Sequence, residues 1–284
     1  MISYLNGNYL PHKEIRISPD DRGFLFSDAL YEVMHSYGGR LFQVQAHLNR
    51  LSYGAKALRY TIVDFNYLAD VARRLIRDNG LTKGNALVYI QVTRGEAPRS
   101  HLFPSPDTPL TVYAKATPFS PRSQEREEGI RAILVPDQRW ARCDIKTVSL
   151  LANTAANQEA FEKNAAEALF VRDGAVLEGT HTNLFAVLNG VLTTPPRTNY
   201  LLTGITRQVV LNLCRKHAVS YQERTILASE LEQAEELMIT GTTSEITPIV
   251  CLNGNTVGSG RPGNLTTYLQ QAFLEFVDSS PSHE

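Results

Sequence analysis

Two side chains that can carry positive charge, Arg99 and His101, stand two positions apart in "GEAPRSHLFP", residues 95–104. Pro98 and Pro104 exclude a helix and leave this segment extended or turned. Residues i and i+2 of an extended chain point the same way, so a guanidinium and an imidazole can face one anion together. Farther on, "RCDIKTVS" carries Lys146 in a short segment flanked by Ile145 and Val148. Apolar surroundings disfavour the ammonium form, and a neutral amine can condense with a carbonyl as a Schiff base. A solvated surface lysine is the plainer alternative. "AVLEGTHTNLF" puts Glu178 after an apolar strand and before Gly179 and three hydrogen-bonding side chains. A carboxylate there can keep a ring nitrogen protonated, or it can be an ordinary turn acid.

Two further segments suit a phosphate. "TGITRQVV" places Gly204, Ile205 and Thr206 where a helix starts, with free backbone N–H groups and a favourable dipole. "MITGTTSEI" ends a strand in Gly241-Thr242-Thr243-Ser244, small and rich in hydroxyls. Each also reads simply as a helix cap or a turn. Arg50, in "AHLNRL", offers a charge for phosphate, although most helix arginines are solvated. An amine, a carboxylate and phosphate donors together are what pyridoxal phosphate requires, a cofactor that acts as an electron sink. "GSGRPG", residues 258–263, matches the dinucleotide pattern GxGxxG but follows a hairpin arm, with no βαβ unit around it. It reads as a turn into the last helix.

The elements that must position these residues mix strands and helices without a strict βαβ rhythm. "ISYLNGNYLP" is a hairpin turning at Asn6-Gly7, and "ALYEVMHSYGGRLFQV" a second one, with Tyr31, Val33 and His35 on one face. Helices are expected from about Ala46 and in "YLADVARRLIRDNG", core strands in "ALVYIQVTRG" and "PLTVYAKA". "TPFSPRSQEREEG" is the linker candidate, around residues 117–128. Beyond it come the strand "IRAILVP", a helix "LLANTAANQEAFEKN", a meander turning at Asp173-Gly174 and Asn189-Gly190, and a helix "TRQVVLNLCRKH". A strand "ELMIT", a hairpin at Asn253-Gly254 and a helix "TTYLQQAFLEFV" close the chain, with the tail from Asp278 to Glu284 expected to fray. The fold class is α+β in two domains: 1–120, and 121–284 carrying Lys146.

Composition narrows the partners. The 284 residues hold 28 Lys and Arg against 29 Asp and Glu, a formal charge of -1, which argues against a nucleic-acid surface or binding to acidic membranes. No apolar run approaches the roughly 20 residues of a membrane span. The N-terminus lacks the basic-then-apolar pattern of a secretory signal. Cys143, Cys214 and Cys251 are odd in number and far apart, suggesting neither disulfides nor zinc. A cytoplasmic enzyme acting on small molecules is expected.

In order and combination, the chain resembles the fold-type IV pyridoxal-phosphate enzymes, and within them the bacterial D-amino-acid transaminases. The resemblance runs through "DRGFLFSDALYEV", "AHLNRL", "QVTRGEAPRSHLFP", "RWARCDIK", "LEGTHTNLF", "LTGITR" and "TSEITP". It implies a two-domain α+β fold with the active site between the domains, and pyridoxal 5′-phosphate held as a Schiff base on Lys146. Lys146 would also be the catalytic acid and base, Glu178 the partner of the pyridine nitrogen, and Arg50, Ile205, Thr206 and Thr242 the phosphate grip. Leu202 and Thr182 would lie against the cofactor, and Glu32 would tune the lysine. Tyr31, Arg99 and His101 would bind the substrate α-carboxylate, the loop reaching into a neighbouring subunit, so a homodimer is implied. The implied reaction moves the amino group of a D-amino acid, of D-alanine type, to a 2-oxo acid such as 2-oxoglutarate. Aminodeoxychorismate lyase and L-branched-chain aminotransferase are the alternatives. Thr180-His181-Thr182 departs from the three serines of the family, and Gly241 stands where a serine hydroxyl would help bind phosphate; hydroxyls at either end of the first segment would preserve contacts to cofactor and substrate.

Overall fold

The computed structural model describes residues 1–279; residues 280–284, which make up most of the tail expected to fray, lie outside the described residues. The chain divides into two compact units. The first comprises Met1–Ser120 and Ile145–Ser149, the second Pro121–Asp144 and Leu150–Ser279. Lys146 therefore groups with the first unit, not with the second as its place in the sequence suggested. The reason is backbone pairing: Leu30 and Thr147 form an antiparallel bridge, the Tyr31 amide donates to the Lys146 carbonyl at 3.1 Å, and the Val148 amide to the Ala29 carbonyl at 3.1 Å. Ile145 completes the attachment by joining that unit's apolar core.

The first unit is a six-stranded sheet backed by helices. Its elements are β1 (Ile2–Leu5), β2 (Asn8–Pro11), α1 (Arg22–Phe26), β3 (Ala29–Tyr37), β4 (Arg40–Leu41), α2 (Val44–Ala57), α3 (Leu68–Asp78), β5 (Asn85–Thr93) and β6 (Thr111–Pro118). The strand order is β2-β1-β6-β5-β3-β4, antiparallel throughout. Leu30 and Met34 of β3, Val88, Ile90 and Val92 of β5, and Val112, Ala114 and Ala116 of β6 face the core, where α2 contributes Leu48 and Leu51 and α3 contributes Leu68, Val71, Ala72 and Leu75. The strand period of two then sends Glu32 toward α2 and Tyr31 to the opposite face. That single alternation separates a buried ionic group from the reactive lysine's neighbour.

The second unit contains α4 (Ser123–Glu128), β7 (Ile130–Pro136), α5 (Leu151–Glu162), β8 (Glu167–Arg172), β9 (Ala175–Gly179), β10 (Asn183–Leu188), β11 (Val191–Thr194), α6 (Ile205–Lys216), β12 (Tyr221–Glu223), β13 (Ile226–Leu227), β14 (Glu236–Gly241), β15 (Glu245–Leu252), β16 (Asn255–Thr256) and α7 (Asn264–Ser279). Its strands run in the order β12-β11-β10-β14-β15-β7-β8-β9-β13, with β16 beside β15. A further pairing of Glu178 with Asn183 joins β9 to β10, so β10, β14, β15, β7, β8 and β9 close into a ring. Leu169, Leu184, Ala186, Leu237, Ile239 and Ile249 of these strands share one core cluster. Ring closure puts the end of β9 against the start of β10, which is where Glu178 stands.

The hairpin turns fall where the sequence placed them. Asn6-Gly7, Asp173-Gly174, Asn189-Gly190 and Asn253-Gly254 all hold positive φ at both residues, as a type I′ turn demands. The linker is shorter than composition suggested. Residues 117 and 118 end β6, and 123–128 form α4, whose Arg126 pairs with Glu245 and accepts a hydrogen bond on its carbonyl from Gln270. Charge there serves docking within the second unit rather than solvation. "GSGRPG" is the turn before α7, as expected.

Candidate active site

In the first unit the reactive-lysine segment sits over β3. Lys146 Nζ lies 4.2 Å from the centroid of the Tyr31 ring, and that ring stacks on Tyr89 at 5.8 Å. On the other face of β3, Glu32 is completely buried and receives both Nε and Nη2 of Arg50, at 2.7 and 2.8 Å. His47 Nδ1 donates to the same carboxylate at 2.7 Å. Burial would raise the Glu32 pKa, but the Arg50 charge and hydrogen bonds, with help from His47, hold it down to about 2. His47 is shifted downward, chiefly by burial and against the pull of Glu32, with Arg50 and Lys146 adding to the shift. It stays neutral at pH 7. Arg50 thus arrives at its place already fixed by Glu32, a role for Glu32 nearer to the arginine than to the lysine. His47 was legible as a partner: three residues before Arg50, it shares a helical face with it.

Arg99 and His101 occupy an exposed, irregular segment, as the prolines require. Both reach the same ring, Phe26: the Arg99 guanidinium carbon is 5.3 Å from its centroid, and the His101 ring 5.7 Å. They therefore do point to one place, while Tyr31 is grouped with Lys146 and Tyr89.

In the second unit the site is built around Glu178. Its Oε1 accepts a 2.5 Å hydrogen bond from Arg139, and its Oε2 accepts from Asn183 Nδ2 at 3.2 Å and from the Leu202 amide at 3.0 Å. Arg139 is itself clamped by Asp137, which also pairs with Arg172. Burial acts to lower the Arg139 pKa, but the Asp137 hydrogen bond and the Glu178 charge outweigh it and raise it, so the guanidinium keeps its proton. Asn183 also donates to the Leu202 carbonyl at 2.8 Å. A Cβ at Gly204 would collide with the Asn183 side-chain oxygen, so glycine is the residue that lets this amide reach Glu178. Arg139 lies in "RWARCDIK" and Asn183 in "LEGTHTNLF", motifs that pointed to Lys146 and Glu178 but concealed these supports.

Next to it, α6 starts at Ile205 with Gly204 as its N-cap and no side chain capping it, leaving the first-turn N–H groups for an anion. Thr206 is buried in that turn. Thr242 lies in the turn between β14 and β15, two residues beyond Thr240, whose buried hydroxyl has no partner among the described residues. The expected roles of Thr180 and Thr182 need correction. Both hydroxyls donate to the buried Glu167, at 2.6 and 2.7 Å, and the Thr180 amide does so at 3.0 Å. They stabilise a carboxylate and fix the β9–β10 turn instead of facing a cofactor. His181 extends from that turn with an exposed side chain, its Nδ1 2.9 Å from the Thr180 hydroxyl.

The donor set fits pyridoxal phosphate: a lysine amine on a rigid strand pairing, a carboxylate paired with a permanent cation, and an uncapped helix start for a phosphate. Among the described residues no group of His, Cys, Asp and Glu could hold a metal ion.

The amino-transferase class IV family model matches residues 29–251. D-alanine aminotransferase of Staphylococcus haemolyticus is 36% identical over 283 residues, covering 98% of this chain and 99% of the relative. The enzyme of the same name from Bacillus licheniformis is 38% identical, with 96% and 95% covered. Among solved structures, the branched-chain amino acid aminotransferase of Escherichia coli superposes with a TM-score of 0.89 at 25% identity, covering 96% of this chain and 93% of that one.

Proposed function

Because the chain belongs to the class IV aminotransferases, enzymes that use pyridoxal 5′-phosphate, we propose that it moves the amino group of D-amino acids, D-alanine foremost, to a 2-oxo acid such as 2-oxoglutarate. The observation that carries this reading is the end-to-end similarity to D-alanine aminotransferases, in a chain whose Arg99 and His101 converge on one ring.

The bound cofactor supplies the electron sink that makes the α-hydrogen of an amino acid acidic. Lys146 holds the cofactor through its amine, takes the α-proton and returns it one position away. Its tether to β3 keeps that amine in one place through both transfers. Glu178 keeps the ring nitrogen protonated, and Arg139 keeps Glu178 ionised, so the two charges act in series. Ile205 and Thr206 bind phosphate through the helix start, with Arg50 and Thr242 adding charge and a hydroxyl, and Leu202 packs beside the ring. Arg99 and His101, with Tyr31, bind the α-carboxylate. Once the carboxylate is fixed, only one enantiomer directs its α-hydrogen at Lys146.

The enzyme works as a homodimer in which each loop bearing Arg99 serves the neighbouring subunit. The separation of Tyr31 from the Arg99–His101 pair within one chain supports that arrangement. A cytoplasmic setting agrees with three free cysteines; no described helix is long and apolar enough to cross a membrane.

Likeness to branched-chain aminotransferases of solved structure supports a second reading, use of L-amino acids. Cofactor-loaded protein mixed with D-alanine or L-alanine, without an acceptor, separates the two. Loss of the visible cofactor band with the D enantiomer alone, and pyruvate formed in proportion to protein, is the expected result. Bleaching by L-amino acids alone would establish the second reading, and bleaching by neither would favour a lyase.

A further inference from the structure

We propose that Arg22, Asp28 and Phe26 are positioning residues for Arg99 and His101, holding an exposed loop ready to grip a carboxylate; the inference rests on the reading of that pair as carboxylate binders. A long cation on a solvated loop gives up rotamer and backbone freedom when it binds, and that loss weakens affinity unless it is incurred beforehand during folding. Two features of the first unit do this.

The first acts on the backbone. Arg22, 4% exposed, donates from Nη1 to the carbonyl of Ser100 at 2.8 Å and to that of Leu102 at 3.3 Å. One guanidinium therefore holds the peptide groups on both sides of His101. Its Nε donates to Asp28 Oδ2 at 3.0 Å, and the same oxygen receives Arg94 Nε at 2.7 Å. Asp28 neutralises the buried cation and prevents it from turning away. Arg94 secures the root of the loop, donating to the Leu58 and Arg59 carbonyls and lying 3.9 Å from the centroid of Phe103. Tyr60 donates its hydroxyl to the Asp28 carbonyl at 3.0 Å, so Asp28 is fixed at its backbone as well.

The second acts on the side chains. Phe26, the last residue of α1, is half-buried and has the Arg22 guanidinium carbon 4.6 Å from its centroid. The same ring meets Arg99 at 5.3 Å and the His101 ring at 5.7 Å, tilted by 58°. It thus links both carboxylate-binding side chains to the arginine that holds their backbone. Asp28 meets the charge of Arg22, whereas Arg99 has no ion pair among the described residues and keeps its charge for a ligand.

The test uses cofactor-loaded protein carrying Phe26→Leu, Phe26→Tyr or Arg22→Met, with Arg99→Ala as the reference. Phe26→Leu should raise KM for D-alanine and for the oxo acid, and the Kd of an unreactive short-chain carboxylate, by about five- to tenfold, the scale of two lost surface cation–π contacts. Its kcat and visible cofactor band should stay as in the parent. Phe26→Tyr should restore KM, and Phe26→Leu added to Arg99→Ala should have little further effect. Unchanged KM in Phe26→Leu, alongside a raised KM in Arg99→Ala, would overturn the positioning role alone. Unchanged KM in Arg99→Ala would overturn the carboxylate reading beneath it. Full additivity of the two substitutions would show Phe26 acting by another route and would also overturn the proposal. If Arg22→Met does not fold, the Phe26 series decides.

Discussion

Lys146 differs from an ordinary surface lysine in what surrounds it, namely a tyrosine ring at 4.2 Å and a backbone hydrogen-bonded to β3. Lys146→Ala should abolish turnover and leave no cofactor that borohydride can fix to the chain. A reduced adduct retained after denaturation would move the attachment to another lysine. The residue's chemistry was legible in its apolar flanks, but its unit was not, because five residues cross into a domain far from them in sequence. Thr180 and Thr182 teach the converse. Their hydroxyls looked available for a ligand in sequence, and the fold commits both to Glu167, a carboxylate whose burial no local pattern announces. A buried carboxylate must be satisfied somewhere, and neighbouring hydroxyls are the nearest donors.

At the scale of elements, closure of the β9–β10 pairing and the start of α6 determine what Glu178 can do. Arg139, pinned by Asp137, is the cation that this carboxylate faces. Arg139→Met leaves two buried carboxylates without their partner, and the resulting loss of stability should be about 3–5 kcal/mol. Urea unfolding measures it, and the cofactor should dissociate more readily on dialysis; a loss below about 1 kcal/mol would mean that Glu178 is adequately held by Asn183 and Leu202 alone. Gly241 offers the opposite case. A Cβ there would meet the His181 carbonyl and Thr182 Cγ2 at 3.5 Å, ordinary contact distances. Gly241→Ser should fold normally and retain cofactor longer, the added hydroxyl giving phosphate one more donor. Faster cofactor loss would mean that the hydroxyl points elsewhere.

At the scale of the molecule, the buried Glu32–His47–Arg50 group makes stability depend on pH in two stages. The folded pKa of His47 lies below its ordinary 6.5, so the unfolded chain takes up a proton first and stability falls as pH drops below 6.5. Glu32 is lowered from 4.5 to about 2, so its contribution, present above 4.5, is lost between those values. Unfolding free energy measured from about pH 8 to about pH 3 should decline gently and then steeply, and His47→Gln should remove the gentle stage. A flat profile through the ordinary histidine range in the parent would show that His47 titrates alike in both states.

The hairpins, the helices, the lysine, the glutamate and the phosphate-type helix start were all determined by local chemistry. Turn pairs such as Asn6-Gly7, apolar periodicity and uncapped amides act over a few residues, and so they can be read from a few residues. What only the tertiary structure decided is which charges meet. Arg50 finds Glu32 across a strand–helix contact, Arg139 finds Glu178 from 39 residues away, and Arg22 reaches the loop carbonyls from 78 and 80 residues away. Such pairs form because burial makes an unpaired charge too costly to leave, and burial is a property of the folded chain.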